Sequence, residues 1–264
     1  MNLASIDPDS TPDFSGGKKA GEAALADGAA EFAELQEKLF AESRFGGTRS
    51  VLLVLQAMDT AGKGGIVDHV LGLANPQGIQ AFSFKAPTDD EKAHDFLWRI
   101  RKRLPEPGHI GVFDRSHYED VLIHRVRGFS TPEVIEERYG LINDFEAQLV
   151  ASGTTIVKVM LHISPEEQKA RLAARLEDPT KQWKYNPGDV DERLLWPAYM
   201  EAYEIAIDRT STDAAPWHVV PANHKWYARL AVQRLLLEAL RSLDLEWPAA
   251  DYDVEAEKKR LALS

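Results

Sequence analysis

Val51-Leu52-Leu53-Val54-Leu55-Gln56-Ala57-Met58-Asp59-Thr60-Ala61-Gly62-Lys63-Gly64-Gly65 is the stretch on which the fold turns. Five consecutive apolar residues suit a strand covered on both faces. The strand runs directly into a glycine-flanked lysine, a combination that reads as a phosphate cradle. Backbone N–H groups of Ala61, Gly62, Lys63, Gly64 and Gly65 can converge on phosphate oxygens at the start of a helix. Lys63 adds a mobile point charge that accepts no hydrogen bond. The loop departs from the usual G-x-x-x-x-G-K-[ST] pattern twice. Ala57 stands at its first glycine, and Gly64 replaces the hydroxyl residue that ordinarily holds Mg²⁺. Asp59 is the informative addition. A carboxylate in an anion-attracting loop repels phosphate unless a cation, or a proton to be moved, lies between them. The plain alternative is a strand-turn-helix with a surface lysine.

Outward from this loop, strands and helices alternate. Apolar periodicity predicts a helix over 23–43, the strand 51–57, a helix over 62–73 and a second strand over 79–84. Thr88 before Asp89-Asp90-Glu91 is a helix start, continuing to Leu104 before Pro105. His109 to Asp114 reads as a third strand. Helices over 116–127 and 131–151 follow, the second with Pro132 in its first turn. Strands over 155–162 and 217–221 and a helix over 223–242 complete the pattern. Such alternation gives βαβ units, hence an α/β fold on a mostly parallel five-stranded sheet. Residues 1–22 read as an N-terminal arm, 23–247 as the domain and 248–264 as a tail. The polar excursion 164–213 reads as a helical lid.

The chain has 264 residues, no cysteine and a formal net charge of −11. Without cysteine, disulfides, thiolate metal sites and cysteine nucleophiles are excluded. Its acidity argues against nucleic acid as a partner, and no apolar run is long enough to span a membrane. A cytoplasmic location is the expectation. Acidity is uneven: residues 1–50 hold 5 Lys/Arg against 9 Asp/Glu, whereas 85–127 hold 9 against 8. The latter include Arg99-Ile100-Arg101-Lys102-Arg103, either a solvated helix end or part of a polyanion channel.

In a doubly wound sheet, ligands bind beyond the carboxyl ends of the strands. The loop after the first strand, Lys85 after the second, and Asp114-Arg115 after the third all fall at that rim. Asp114 can hold a divalent ion and Arg115 can neutralise phosphate; together they could instead form a surface ion pair. Glu119 either faces the same cleft or is an ordinary first-turn acid. In the excursion, Arg171 and Arg175 are spaced to share a helix face, and Lys181 and Lys184 follow. They serve either as mobile cations over a phosphate or as surface ion pairs. Two classes of function remain open on this pattern: a phosphoryl-transfer enzyme, such as an ATP-dependent small-molecule or nucleoside kinase, and a non-catalytic nucleotide or phosphate binder.

Ala57-Met58-Asp59-Thr60-Ala61-Gly62-Lys63-Gly64-Gly65, Phe113-Asp114-Arg115-Ser116-His117-Tyr118-Glu119-Asp120 and Ala215-Pro216-Trp217-His218 through Lys225 resemble the family-2 polyphosphate kinases. Residues 161–168 and Pro179-Thr180-Lys181-Gln182-Trp183-Lys184 extend the likeness, which covers roughly residues 30–245. The resemblance implies a three-layer, thymidylate-kinase-like P-loop kinase fold with a helical lid. It also implies phosphoryl transfer between inorganic polyphosphate and nucleotides, ADP to ATP or AMP to ADP, with Mg²⁺ or alternatively Mn²⁺. On that basis Asp59, Lys63, Asp114 and Arg115 match active-site positions, with Asp59 and Asp114 as metal ligands. Arg171, Arg175 and Lys184 match lid cations, with Glu119 on the nucleotide side. The Arg-Ser-His-Tyr-Glu-Asp form resembles the branch that accepts nucleoside monophosphates as well as diphosphates, in which Asn is frequent at the Asp114 position. A homodimer or homotetramer is expected, and the apolar residues of the first long helix are one surface available for it.

Overall fold

The alternating apolar runs become β1 (Ser50–Ala57), β2 (Ile79–Ser83), β3 (Ile110–Asp114), β4 (Thr154–His162) and β5 (Trp217–Pro221). In the computed structural model, which describes residues 1–264, these strands form one sheet in the order β2-β3-β1-β4-β5. Every pairing is parallel. β1 is central and buried throughout, which explains its unbroken apolar sequence.

Successive side chains of β1 point to opposite faces. Val51, Leu53 and Leu55 pack with α2 (Ala29–Arg44), α3 (Lys63–His69) and α11 (Lys225–Arg241) through Phe32, Leu39, Ile66, Val232 and Leu236. Leu52 and Val54 pack on the other face with α7 (Pro132–Ala151) and α10 (Trp196–Thr210) through Tyr139, Ile142, Tyr203 and Ile207. The sheet thus lies between two helical layers. Truncating one such leucine to alanine costs about 2–5 kcal/mol.

Topology fixes the functional rim. β1 has β3 on one side and β4 on the other, and the chain crosses β1 between them. The crevice beyond the carboxyl ends of β1 and β3 is therefore the switch point at which ligands bind. Register sets Leu55 beside Asp114, so the end of β3 lies two residues short of the end of β1.

Several helices differ from the sequence expectation. α1 (Lys18–Asp27) begins before residue 23, and the chain breaks at Gly28 before α2. Residues ahead of α1 lie against the body: Leu3 is buried, Asn223 N donates to Pro8 O at 3.2 Å, and Tyr227 Oη donates to Pro12 O at 2.8 Å. Phe32 and Leu39 of α2 are packed in the core, so those two residues are not available to a second copy.

The expected helix 89–104 is two short ones, α4 (Asp89–Lys92) and α5 (Trp98–Arg101). The Asp95 carboxylate accepts from Leu97 N at 3.0 Å, a local turn that competes with helical bonding. The predicted start at Thr88 is present as a reciprocal capping box with Glu91. The expected helix 116–127 is a 3₁₀ turn over His117–Asp120 and then α6 (Ile123–Val126). Tyr118 is drawn inward to bond Glu146 Oε1 at 2.7 Å.

The excursion also divides. α8 (Pro165–Glu177) borders the crevice and α9 (Gly188–Arg193) is tied to it through Arg175 and Asp189, whereas Tyr199, Ala202, Tyr203, Ala206 and Ile207 of α10 belong to the core. The candidate lid is accordingly shorter than 164–213. No helix is long and apolar enough to cross a membrane. α12 (Val254–Ala262) ends the chain and is exposed along its whole length.

Candidate active site

β1 delivers the chain to a loop whose backbone takes two left-handed residues, Thr60 at φ 66° and Gly62 at φ 120°. Gly62 tolerates this conformation freely, while Thr60 is held there by its surroundings. α3 starts at once with Lys63. Its first turn leaves N–H groups with no intrahelical acceptor, and Ile66 N is the first to bond back, to Gly62 O at 3.2 Å. A Cβ on Gly64 would meet nothing within 4 Å. The cradle is therefore open where the usual pattern carries a hydroxyl side chain.

Lys63 is buried, donates to Ala57 O at 3.2 Å and lies 4.0 Å from Asp114 Oδ1. Asp114 Oδ1 is itself buried without a hydrogen-bond partner, and Oδ2 accepts a long bond from Ser83 Oγ at 3.4 Å. Arg115 Nη2 donates to Asp59 Oδ1 at 2.5 Å. Arg115 also has a left-handed backbone, φ 63°, with its N–H bonded to Leu55 O at 3.0 Å. Burial opposes the charge on this guanidinium, but Glu119, Asp59 and Asp114 outweigh it and raise the pKa. Arg115 is thus a permanent cation.

Glu119 stands behind Arg115 rather than on the cavity wall. With its amide turned to satisfy both ends, Gln56 donates to Glu119 Oε1 at 2.9 Å and accepts from Ser116 N at 3.1 Å. Burial raises the Glu119 carboxyl's pKa, against the pull of Arg115 and Lys63.

These groups border a cavity of about 840 Å³ walled by the phosphate loop, the β3 terminus, α8, the 181–184 turn and the start of α11. Eight Lys/Arg line it against four Asp/Glu, although the whole chain carries −11. On the lid side, Arg175 donates to Lys184 O at 3.0 Å and lies 3.8 Å from Asp189. Trp183 leaves 77% of its surface exposed beside it. Lys184, Lys225 and Arg229 form no ion pair, and burial, joined by neighbouring cations, lowers the Lys225 pKa. Unpaired cations facing one cavity are held against mutual repulsion, which an anion relieves.

The residues present suit a divalent ion of the Mg²⁺ type. No three His, Asp or Glu side chains cluster to cage a metal. Mg²⁺, however, typically takes one or two carboxylates and completes its shell with water and substrate phosphates. Asp114, with its orphaned oxygen, and Asp59 across the same cavity are the carboxylates available for that role.

Residues 16–247 match the family model described as "Polyphosphate kinase 2 (PPK2)". The chain belongs to the polyphosphate kinase 2 family. It is 46% identical to an AMP/ADP-polyphosphate phosphotransferase from Meiothermus ruber, over 94% of this chain and 91% of that one. It is 44% identical to an ADP-polyphosphate phosphotransferase from Rhodopseudomonas palustris, over 81% and 77%. Among solved structures, the polyphosphate kinase 2 of Arthrobacter aurescens TC1 superposes with a TM-score of 0.98 at 61% identity, covering 100% of this chain and 93% of that one. The three-layer P-loop kinase fold expected from the family resemblance is the fold observed.

Against the geometry of this cavity, the sequence expectation divides. Asp59, Ala61–Gly65, Asp114, Arg115, Arg175 and Lys184 meet at one cavity. Lys85 does not: its side chain is exposed outside the cavity, and only its carbonyl is used, by Arg99 at 2.8 Å. The cluster 99–103 is also occupied elsewhere, with Arg99 over Phe84, Lys102 over Trp98 and Arg103 over Phe82. Arg171 lines the cavity but is no mobile cation, since it is buried and bonded to loop carbonyls. Lys225 and Arg229 were not singled out as cavity cations. Their four-residue spacing just after the last strand was the available signal.

Proposed function

We propose that this protein transfers phosphoryl groups between inorganic polyphosphate and nucleoside phosphates, converting ADP to ATP and AMP to ADP, with Mg²⁺. One observation carries the reading: two cations without an ion pair, Lys225 and Arg229, continue past the phosphate loop and Lys63 along the wall of the same cavity. A nucleoside triphosphate ends in three phosphates, whereas a polyphosphate presents a longer row of anions that such a wall suits.

The terminal donor phosphate lies against the free N–H groups of the 60–65 loop, with Lys63 offsetting its charge. The acceptor approaches from the Arg115 and lid side, where Arg115, Arg175 and Lys184 neutralise its phosphate. An acceptor phosphate is already ionised, so no strong general base is required. Catalysis is then mainly in-line positioning and charge stabilisation. Asp59, held by Arg115, keeps that guanidinium aimed at the junction of donor and acceptor. Asp114 and Asp59 would hold a Mg²⁺ ion, which would supply charge neutralisation for the phosphates.

Incubating the protein with polyphosphate, Mg²⁺ and either ADP or AMP tests this directly. ATP or ADP forms under this reading; an ATP-dependent kinase or a passive phosphate sensor forms neither. Activity falls steeply with added salt if the cation wall guides the polyanion, and a flat response removes that part. Nucleotide preference is read from the same assay. Apolar residues available to the expected dimer or tetramer include Val134 and Leu141, two turns apart and exposed on α7; light scattering decides whether it forms.

A further inference from the structure

A phosphate loop offers N–H groups to its ligand when its carbonyls point away. In this molecule α8 holds them away. Gln168 Nε2 donates to Asp59 O at 3.1 Å. Arg171 Nη1 donates to Thr60 O at 3.0 Å and to Ala61 O at 2.8 Å. Three consecutive carbonyls are captured. In a planar trans peptide the C=O and the following N–H point in opposite directions. Holding the Asp59 and Ala61 carbonyls against α8 therefore turns the N–H groups of Thr60 and Gly62 the other way. Neither N–H bonds to a protein acceptor, while the intervening Ala61 N–H bonds Met58 O at 3.3 Å. The left-handed backbone at Thr60 and Gly62 is the conformation this arrangement requires.

Arg171 has no donor left for a substrate. Its guanidinium carries five N–H bonds, and five acceptors take them. Beyond the two loop carbonyls these are Glu167 Oε1 at 2.7 Å, Ala222 O at 2.7 Å and Asn223 O at 2.9 Å. Gln168 is equally committed, 1% exposed and accepting at Oε1 from Arg193 at 3.1 Å. Arg175, one turn later, makes a single hydrogen bond, to the Lys184 carbonyl. The same helix thus belongs to the cradle at Gln168 and Arg171 and to the lid at Arg175.

We propose that Gln168 and Arg171 are positioning residues, which set the direction of the loop's N–H groups for the donor phosphate and do not touch it. The proposal rests on the phosphotransfer reading and adds how the donor side of that site is aimed. Arg171→Lys separates geometry from charge, because an ammonium keeps the charge but cannot reproduce the planar five-donor fan. With polyphosphate varied at saturating nucleotide, Arg171→Lys and Arg171→Met both raise the polyphosphate KM by roughly tenfold or more, within about threefold of each other. Gln168→Met raises it by about threefold to tenfold, as loss of one hydrogen bond predicts. The nucleotide KM, measured in the converse experiment, changes by less than about threefold. Should both Arg171 variants fail to fold, Gln168→Met carries the same test.

A wild-type polyphosphate KM in Arg171→Lys, or one far better than in Arg171→Met, overturns the proposal, since charge alone would then suffice. Equal rises in both KM values, or a loss confined to melting temperature, also overturn it. Calorimetric binding of tripolyphosphate to the same variants gives the donor-side result without turnover. A wild-type protein that binds tripolyphosphate but makes no ATP or ADP defeats the phosphotransfer reading alone.

Discussion

Two lysines of this molecule are buried, and they sit in opposite circumstances. Lys158, on β4 and 0% exposed, donates to Glu146 Oε2 at 2.5 Å, Tyr118 Oη at 3.0 Å and Thr210 O at 2.7 Å. All three of its N–H bonds are satisfied. Burial pushes the Glu146 carboxyl's pKa up, but bonds from His117 and Lys158 hold it below its usual range. Lys63, 9% exposed, has one carbonyl at 3.2 Å and a carboxylate 4.0 Å away whose nearer oxygen has no partner. The first network is closed and needs nothing further. The second is incomplete in a way that phosphate and a divalent ion would complete, because a partnerless polar atom in a buried setting is costly. Satisfaction of polar groups, more than burial, separates the structural lysine from the one facing substrate.

The largest expected effect tests the closed network. Lys158→Met or Glu146→Gln alone leaves an uncompensated buried group and destabilises by about 3–5 kcal/mol in urea unfolding. The double change Lys158→Met with Glu146→Leu recovers most of that loss. If either single variant unfolds at the wild-type urea midpoint, Lys158 is not the structural member of the pair. Next in size is the open site. Lys63→Ala and Asp114→Ala each lower kcat by roughly 10²–10³-fold, about 3–4 kcal/mol of transition-state stabilisation, with little change in unfolding midpoint. Near-wild-type turnover in either variant would remove the contrast.

Smaller effects sharpen it. Arg175→Ala removes a lid cation that still has free donors, and kcat/KM falls about tenfold, equal to about 1.4 kcal/mol. The loss shrinks at high salt as screening weakens what Arg175 contributes. A loss that does not depend on salt would place Arg175 with the structural cations.

Legibility in the sequence followed the same division. Strand positions were readable to within about a residue because continuous apolar runs and their spacing are local properties. Asp59, Lys63, Asp114 and Arg115 could be grouped because each lies at or just after the end of an apolar strand, where topology gathers them. Arg171 and Arg175 looked equivalent in sequence, since four-residue spacing places both on one face. Only their acceptors distinguish them, and those come from residues 60–61 and 222–223, which no local pattern connects. Lys85 failed for the converse reason: it follows a strand, but on the edge strand β2 its side chain lies outside the crevice. The helices expected over 89–104 and 116–127 were broken by Asp95 bonding locally and by Tyr118 turning to Glu146. The first is a local side-chain turn and the second a tertiary contact, and each overrides periodicity.

The smallest effect concerns pH and extends the comparison to a third buried group. His162 ends β4, is buried, and has an Nδ1 atom without a hydrogen-bond partner. Burial lowers its pKa from the usual 6.5, so in the folded chain the ring stays neutral while the unfolded chain takes up a proton. Its contribution to stability is therefore complete above pH 6.5 and is lost as the pH falls through the depressed folded value. The loss amounts to about 1.4 kcal/mol for each pKa unit of depression. Unfolding midpoints measured between pH 7.5 and pH 5 should drop for the wild type, and less for His162→Gln, which cannot be protonated. His124 and His218, whose pKa values burial also lowers, add to the wild-type slope, so the difference between the two curves is the quantity to read. Parallel curves would mean that His162 is solvated in solution and that its unpartnered nitrogen carries no cost. An unsatisfied buried atom would then not by itself mark strain, and the orphaned oxygen of Asp114 would have to be judged by its place beside Lys63 alone.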